Sequence, residues 1–215
     1  MGKTSIEWCD FSFNPWIGCS KVSPACDHCH AEVYARRMGK PELWNGSRHR
    51  TAKSTWDNPL LWQRKAAGTG FRPRVFCASL ADVFDNTVPP AWRDDLWELI
   101  RNTPDLDWLL LTKRPQNILN MLPADWGEGY PNVWMGATVE NQKEADRRIS
   151  HLLKVTAVIR FLFCEPLLGK IDLRNLVGDA YRPGRGPGTY DALDGSWWPS
   201  VNDPILSSAT AEYDL

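Results

Sequence analysis

The 215-residue chain contains no uninterrupted run of about 18 apolar residues, the length a helix needs to cross a bilayer, so no membrane span is expected. Its opening residues, Met1-Gly2-Lys3-Thr4-Ser5-Ile6-Glu7-Trp8, lack the apolar stretch of a secretory signal and match a myristoylation start only loosely. A cytoplasmic protein with no membrane partner is the resulting expectation. Thiols stay reduced there, so the six cysteines favour metal binding over disulfides. Net charge is also nearly absent, at −1. What remains, 43% hydrophobic and 24% charged residues, is ordinary for a globular protein, and the length suits one large core.

The small net charge hides an asymmetry. Residues 1–75 carry twelve Lys or Arg against six Asp or Glu, and the remainder carries thirteen against twenty. The basic excess is densest around Arg36-Arg37, Lys40, Arg48-His49-Arg50, Lys53 and Arg64-Lys65, with Trp44, Trp56 and Trp62 interleaved. Cations among aromatics suit a polyanion with stackable bases, which makes Arg48, Arg50 and Lys53 candidate nucleic-acid contacts. A solvated helix-and-loop surface is the competing reading. Of the twelve tryptophans, most are expected to be core or rim packing.

The pattern predicts strands over residues 4–13, 74–79, 107–112, 132–138 and 156–164. Helices are expected over 30–38, around 60–62, over 90–102, 116–121 and 143–153. Strands and helices alternating every 25–30 residues or so mean βα units and a parallel sheet, whose active groups gather at the carboxyl ends of the strands. Polar residues stand at those ends here: Ser79-Leu80-Ala81-Asp82, Thr112-Lys113-Arg114, Thr138-Val139-Glu140-Asn141 and Glu165. The first strand feeds a loop holding Cys19, Cys26 and Cys29.

Three thiolates so close in sequence leave one coordination position open, on a tetrahedral ion or on a cubane cluster, and an open position is where a cofactor or substrate binds. With His28 or His30 as a fourth ligand, the same loop reads as a closed zinc site in a nucleic-acid-binding module. Cys77 and Cys164 fall in apolar strands and read as small core residues.

The run Asn14-Pro15-Trp16-Ile17-Gly18-Cys19 through Cys26-Asp27-His28-Cys29-His30-Ala31-Glu32 resembles the cluster loop of the radical S-adenosylmethionine (radical SAM) superfamily. Within it, the run is similar to a phage-encoded three-cysteine-motif family of unknown function. Ser79-Leu80-Ala81-Asp82-Val83-Phe84, Leu111-Thr112-Lys113-Arg114-Pro115, Thr138-Val139-Glu140-Asn141 and Glu165-Pro166-Leu167-Leu168-Gly169 follow in the same order, over roughly residues 4–173. The cysteine surroundings also resemble the spore photoproduct lyase branch, with His30 where that branch has an aromatic residue. Six residues, rather than the commoner three, separate Cys19 from Cys26.

The resemblance implies a partial (β/α) TIM-like barrel of about five or six parallel strands over residues 1–173, followed by an irregular tail over 174–215. It implies a [4Fe–4S] cluster on Cys19, Cys26 and Cys29, with S-adenosylmethionine on the fourth iron. Glu140, Asn141 and Glu165, with Ser79 and Asp82, would meet its amino or ribose groups, and Lys113 or Arg114 its carboxylate or a substrate phosphate. Each of these rim residues also reads as a helix cap or an ion pair. An electron donor of flavodoxin or ferredoxin type is implied. A large substrate, foremost a nucleic-acid base in phage DNA modification or repair, is expected; a peptide or small metabolite is the alternative. The compartment would be the cytoplasm of a bacterial host. No sixth strand, Gly-Gly-Glu-type segment or following helix is found after residue 173, so a partner protein completing the barrel is a further expectation.

Overall fold

Asp107-Trp108-Leu109-Leu110-Leu111-Thr112 is too evenly apolar to leave one face in water, which marks a strand buried on both sides. The computed structural model makes it the middle of a sheet. It describes residues 4–178, 188–193 and 197–199. In chain order the elements are β1 (Phe11–Ser12), β2 (Trp16–Ile17), α1 (His30–Arg37), β3 (His49–Arg50), α2 (Lys53–Ala66), β4 (Arg74–Cys77), α3 (Pro90–Arg101) and β5 (Asp107–Thr112). There follow β6 (Val133–Thr138), α4 (Gln142–Leu152), β7 (Ile159–Phe163), β8 (Leu176–Gly178), β9 (Gly188–Tyr190) and β10 (Trp197–Pro199). Short 3-10 turns occupy Pro24–Cys26, Pro41–Trp44 and Pro115–Asn120.

The main sheet runs β1-β4-β5-β6-β7, with every neighbouring pair parallel. Its spatial order is its sequence order. It is an α/β architecture built on an open five-stranded sheet, with β1 and β7 as edges and no closed barrel among the described residues. The register sets Phe76, Leu109, Trp134 and Ile159 in one row and Val75, Trp108 and Val133 in the next. Because side chains alternate, these rows face opposite ways. The Val75 face, with Cys77, Leu110, Met135 and Ala137, joins Trp62 and Ala66 of α2 and Leu96, Trp97 and Ile100 of α3 in the principal core. Fully buried side chains of this size are worth roughly 1.5–3 kcal/mol each.

The other face is less covered. Gly136 lies beneath the Phe161 ring, where a Cβ would come within 2.3 Å of that ring. Trp8 spans this face, with its ring 4.6 Å from Phe76 on β4 and 5.3 Å from Phe163 on β7. Three flat strand spacings would hold β4 and β7 about 14 Å apart. One indole thus touches side chains from the second and the last strand of the sheet.

Local signals explain the helices. Pro90 opens α3, where a missing N–H costs nothing. Asn141 caps α4 by accepting a hydrogen bond from Glu144 N at 3.0 Å. Four expectations need correction. The first strand shrinks from residues 4–13 to Phe11–Ser12, because Thr4 N instead donates to Asp10 O and Cys9 N to Ile6 O, folding that segment on itself. The helix around 60–62 begins at Lys53 and carries Pro59 in its interior. The tail is not all loop: β10-β9-β8 form an antiparallel sheet, and Leu176 is buried against Val139, Ala145 and Ile149. Its glycine- and proline-rich stretch at 183–187 and its polar end, 207–215, lie outside the described residues. Cys164, expected in the core, sits just beyond β7 and is exposed; Cys77 is buried as expected.

Candidate functional site

The cysteine loop is fastened to the carboxyl rim of the sheet. Gly18 N donates to Leu80 O at 3.0 Å, and Gly18 pairs in parallel with Ala81, just past the end of β4. Gly18 has φ +120°, and a Cβ there would lie 2.7 Å from Ser47 O and 2.8 Å from Leu43 O. Only glycine fits this approach. Cys19 N then donates to Leu43 O at 3.0 Å, so the first cysteine hangs between the rim and the Pro41–Trp44 turn. Cys26 is buried in the Pro24–Cys26 turn, and Cys29 is the N-cap residue of α1. Cys19 and Cys29 both pack against Ala31, Ala35, Leu43 and Trp44.

Beneath Cys19 lies a buried network of four charges. Arg114 donates through NH1 to Asp82 Oδ2 at 3.0 Å and to the Cys19 sulfur at 3.5 Å. Through NH2 it donates to Ser20 O and Ser20 Oγ, both at 2.9 Å. Arg48 donates to Asp85 Oδ2 from Nε at 2.9 Å and from NH2 at 2.6 Å. Asp82 also accepts from Phe84 N, Thr112 Oγ1 and Lys113 N, which ties the ends of β4 and β5 together. Two arginines against two aspartates make the network neutral.

Protonation follows from this packing. Burial pushes the Cys19 thiol up and the Asp82 charge adds to that, against the lowering effect of Arg114. Burial would raise Asp85, yet the Thr87 N–H, Arg114 and Arg48 together hold its carboxyl below the usual range. Burial would lower Arg114, but the nearby Asp82, Cys19 and Asp85 outweigh it and keep the guanidinium charged.

At the next strand end, Glu140 is fully buried. Its Oε2 accepts from Arg148 NH1 at 2.6 Å, and its Oε1 accepts from Ala25 N, beside Cys26, at 3.4 Å. Arg148 NH1 also donates to Thr138 O at 2.8 Å, and its NH2 lies 3.0 Å from Glu144 Oε2. The Glu144 carboxylate also meets Arg147. Strand ends β5 and β6 thus grip opposite ends of the cysteine loop, one through a cation and one through an anion.

The expected site residues divide. Ser79 bonds Ser12 Oγ and Asn14, latching the ends of β1 and β4. Asp82, Arg114 and Glu140 are committed to holding the loop, and Asn141 is a helix cap. Lys113 and Glu165 keep side chains with no hydrogen-bond or ion-pair partner among the described residues. Of the expected nucleic-acid contacts, Arg48 is a correction: its side chain is 3% exposed and spent on Asp85. Arg50 pairs with Asp95 at 2.7 Å and lies over the Trp56 ring, and exposed Lys53 pairs with Asp57 at 2.8 Å. Trp44 and Trp62, expected among them, are buried. Asp85, Ser20 and Arg148 were not anticipated; an Asp three residues after Asp82 in the same strand-end run was the one available signal.

Among the described residues no group of three or more His, Cys, Asp or Glu side chains is arranged to hold a metal ion. The three thiols are not gathered into a ready ligand set, and His28 and His30 are exposed without completing one. The donors are nevertheless of the soft kind that iron–sulfur groups take, and their loop is anchored at both ends. They fit such a group in chemical kind, but their placement among the described residues does not gather them around one.

Among the described residues no helix is long and apolar enough to cross a membrane. No curated protein and no solved structure matches the chain. A family model described as "protein of unknown function (DUF5131)" matches residues 3–201. The chain, matched over most of its length, belongs to that family.

Proposed function

We propose that this protein is a radical SAM enzyme acting on a large substrate in the cytoplasm. The observation that carries the proposal is the docking of a three-cysteine loop on the carboxyl rim of a sequentially ordered parallel sheet, through Gly18, Arg114 and Glu140. Parallel strands whose spatial order is their sequence order are the arrangement of a (β/α) barrel opened along one side. On this reading the less covered face, with Phe76 and Phe161, would be its inner wall. Cys19, Cys26 and Cys29 would hold a [4Fe–4S] cluster whose remaining iron takes S-adenosylmethionine. Bound there, the pair supplies one-electron cleavage of a sulfonium and a carbon radical that removes a substrate hydrogen.

The protein's share is positional. Arg114 and Glu140 hold the loop, and the half-open inner face admits substrate. Lys113 and Glu165, without a partner among the described residues, are the groups left to meet the carboxylate and the amino or hydroxyl groups of the cofactor. A nucleic acid is the proposed substrate. Arg48 is buried against Asp85, so the interface would rest on Arg50 and exposed Lys53, whose surface pairs with Asp95 and Asp57 are weak.

Anaerobic reconstitution with iron and sulfide tests the reading. A brown protein absorbing broadly near about 400 nm is expected, releasing 5′-deoxyadenosine from S-adenosylmethionine and dithionite. Ala at Cys19, Cys26 or Cys29 removes both properties, and Cys9→Ala keeps them. A colourless protein carrying one zinc, or full iron in the Cys19→Ala variant, overturns it. Binding to DNA that weakens steeply with salt supports the nucleic-acid substrate; salt-insensitive or absent binding points to a peptide or metabolite.

A further inference from the structure

We infer that the cavity at the amino-terminal ends of β4, β5 and β6 is a binding site for a nucleobase, with guanine the base that suits it. Its volume is about 490 Å³, within the roughly 300–1,000 Å³ of small-molecule sites. Arg74 and Asp107 open β4 and β5, and Trp134 is the second residue of β6, so the cavity lies at the end of the sheet opposite the cysteine loop. The turn that replaces the expected first strand builds one side of it. Asp10 N donates to Arg74 O and Arg74 N to Asp10 Oδ2, both at 2.9 Å, which clamps that segment to the start of β4. Trp8, carried by the same segment, lines the cavity from above the sheet.

The lining chemistry selects the ligand. Neither the Trp8 nor the Trp134 indole N–H has a hydrogen-bond partner among the described residues. The Arg74 guanidinium lies 5.4 Å from the Trp134 ring centroid, and its donors are otherwise unpaired among those residues. The exposed Glu7 carboxylate is unpaired in the same sense, whereas Arg72 is held by Asp107 at 2.8 Å. Two arginines against Glu7, Asp10 and Asp107 leave no positive excess, so the cavity is ill suited to grip phosphates. A flat, uncharged ring with donors and acceptors on its edges uses all of these groups. An indole stacks on its face, the guanidinium donates to one edge and the carboxylate accepts from another. Guanine presents O6 and N7 side by side to a guanidinium fork, and N1–H and N2–H side by side to a carboxylate. An aliphatic ligand would leave both charged groups without partners.

The test is calorimetric titration of the protein, without iron or S-adenosylmethionine, with guanosine and with uridine. Saturable binding of guanosine, about tenfold tighter than that of uridine, is expected. Arg74→Gln, Glu7→Gln and Trp134→Leu are each expected to weaken it about tenfold. Arg74 and Glu7 are exposed, so their variants decide the matter should Trp134→Leu fail to fold by circular dichroism. Guanosine affinity should change little between about 50 and 200 mM salt, because no phosphate is engaged. A guanine-containing single-stranded oligonucleotide that displaces guanosine supports a base taken from a strand; one that does not supports a free nucleoside. Guanosine that fails to bind saturably, binds no better than uridine, or binds the Arg74→Gln and Glu7→Gln variants as tightly as wild type overturns the inference. No iron enters the measurement, so this failure and that of the proposed function are read separately.

Discussion

Arg48 and Asp85 meet at 2.6 Å with side chains 3% and 1% exposed, and this pair joins the Pro41–Trp44 turn to the strand end below the cysteine loop. Removing one member leaves the other charged and without water. Arg48→Met is expected to cost about 3–5 kcal/mol in urea unfolding, the range for breaking a buried pair. Replacing both residues with apolar ones of similar volume is expected to cost much less. A loss below about 1 kcal/mol for Arg48→Met would mean that the pair is open to solvent.

Asp85 gives that pair a pH dependence. Its carboxyl is held below the ordinary aspartate value, about 3.9, because Thr87, Arg114 and Arg48 overcome the opposing effect of burial. The unfolded chain therefore takes up this proton at higher pH than the folded one. The stabilisation is fully present above the unfolded value and is lost as pH falls through the lower folded value. The stability gap between wild type and Asp85→Asn should be constant from about pH 5 to 7 and should narrow below about pH 4. A gap that widens with acid contradicts the assigned direction.

Trp8 packs on the less covered face of the sheet, touching Phe76 and Phe163. Trp8→Ala is expected to cost about 2–3 kcal/mol, less than a fully buried tryptophan because the ring is only partly covered. Its near-ultraviolet circular dichroism should lose intensity while the far-ultraviolet helix signal persists. Unchanged stability would mean that this face does not depend on the ring for its packing.

Much of the scaffold was legible because the apolar periods are strong. The strand at 107–112 falls where Asp107–Thr112 lies, and the helix at 90–102 differs from Pro90–Arg101 by one residue. The helix at α2 was obscured by Pro59, which removes a backbone donor yet is accommodated within the helix. The strands of the tail are three residues each, too short to show a period. At the rim, residue type was legible and role was not. Asp82 and Glu140 are carboxylates in a site-like place, but which arginine takes up a carboxylate is settled by contacts across 32 residues in one case and 8 in the other. Arg48 misled for the same reason, since its partner Asp85 lies on another element.

Glu140 tests the second grip on the loop. It is the anion facing Arg148, whose Nε forms no hydrogen bond among the described residues, and it accepts from Ala25 N beside Cys26. Glu140→Gln keeps an oxygen for Ala25 but removes the charge, leaving Arg148 to Glu144 alone. A loss of about 3 kcal/mol is expected; if the proposed function holds, iron taken up on reconstitution is largely kept once the protein is folded. Glu140→Leu combined with Arg148→Met removes both charges and the acceptor for Ala25. That double variant should regain much of the stability yet hold iron less well than Glu140→Gln. If the two variants retain iron equally at matched folded fractions, the Ala25 contact does not position Cys26, and Glu140 serves only the packing of α4.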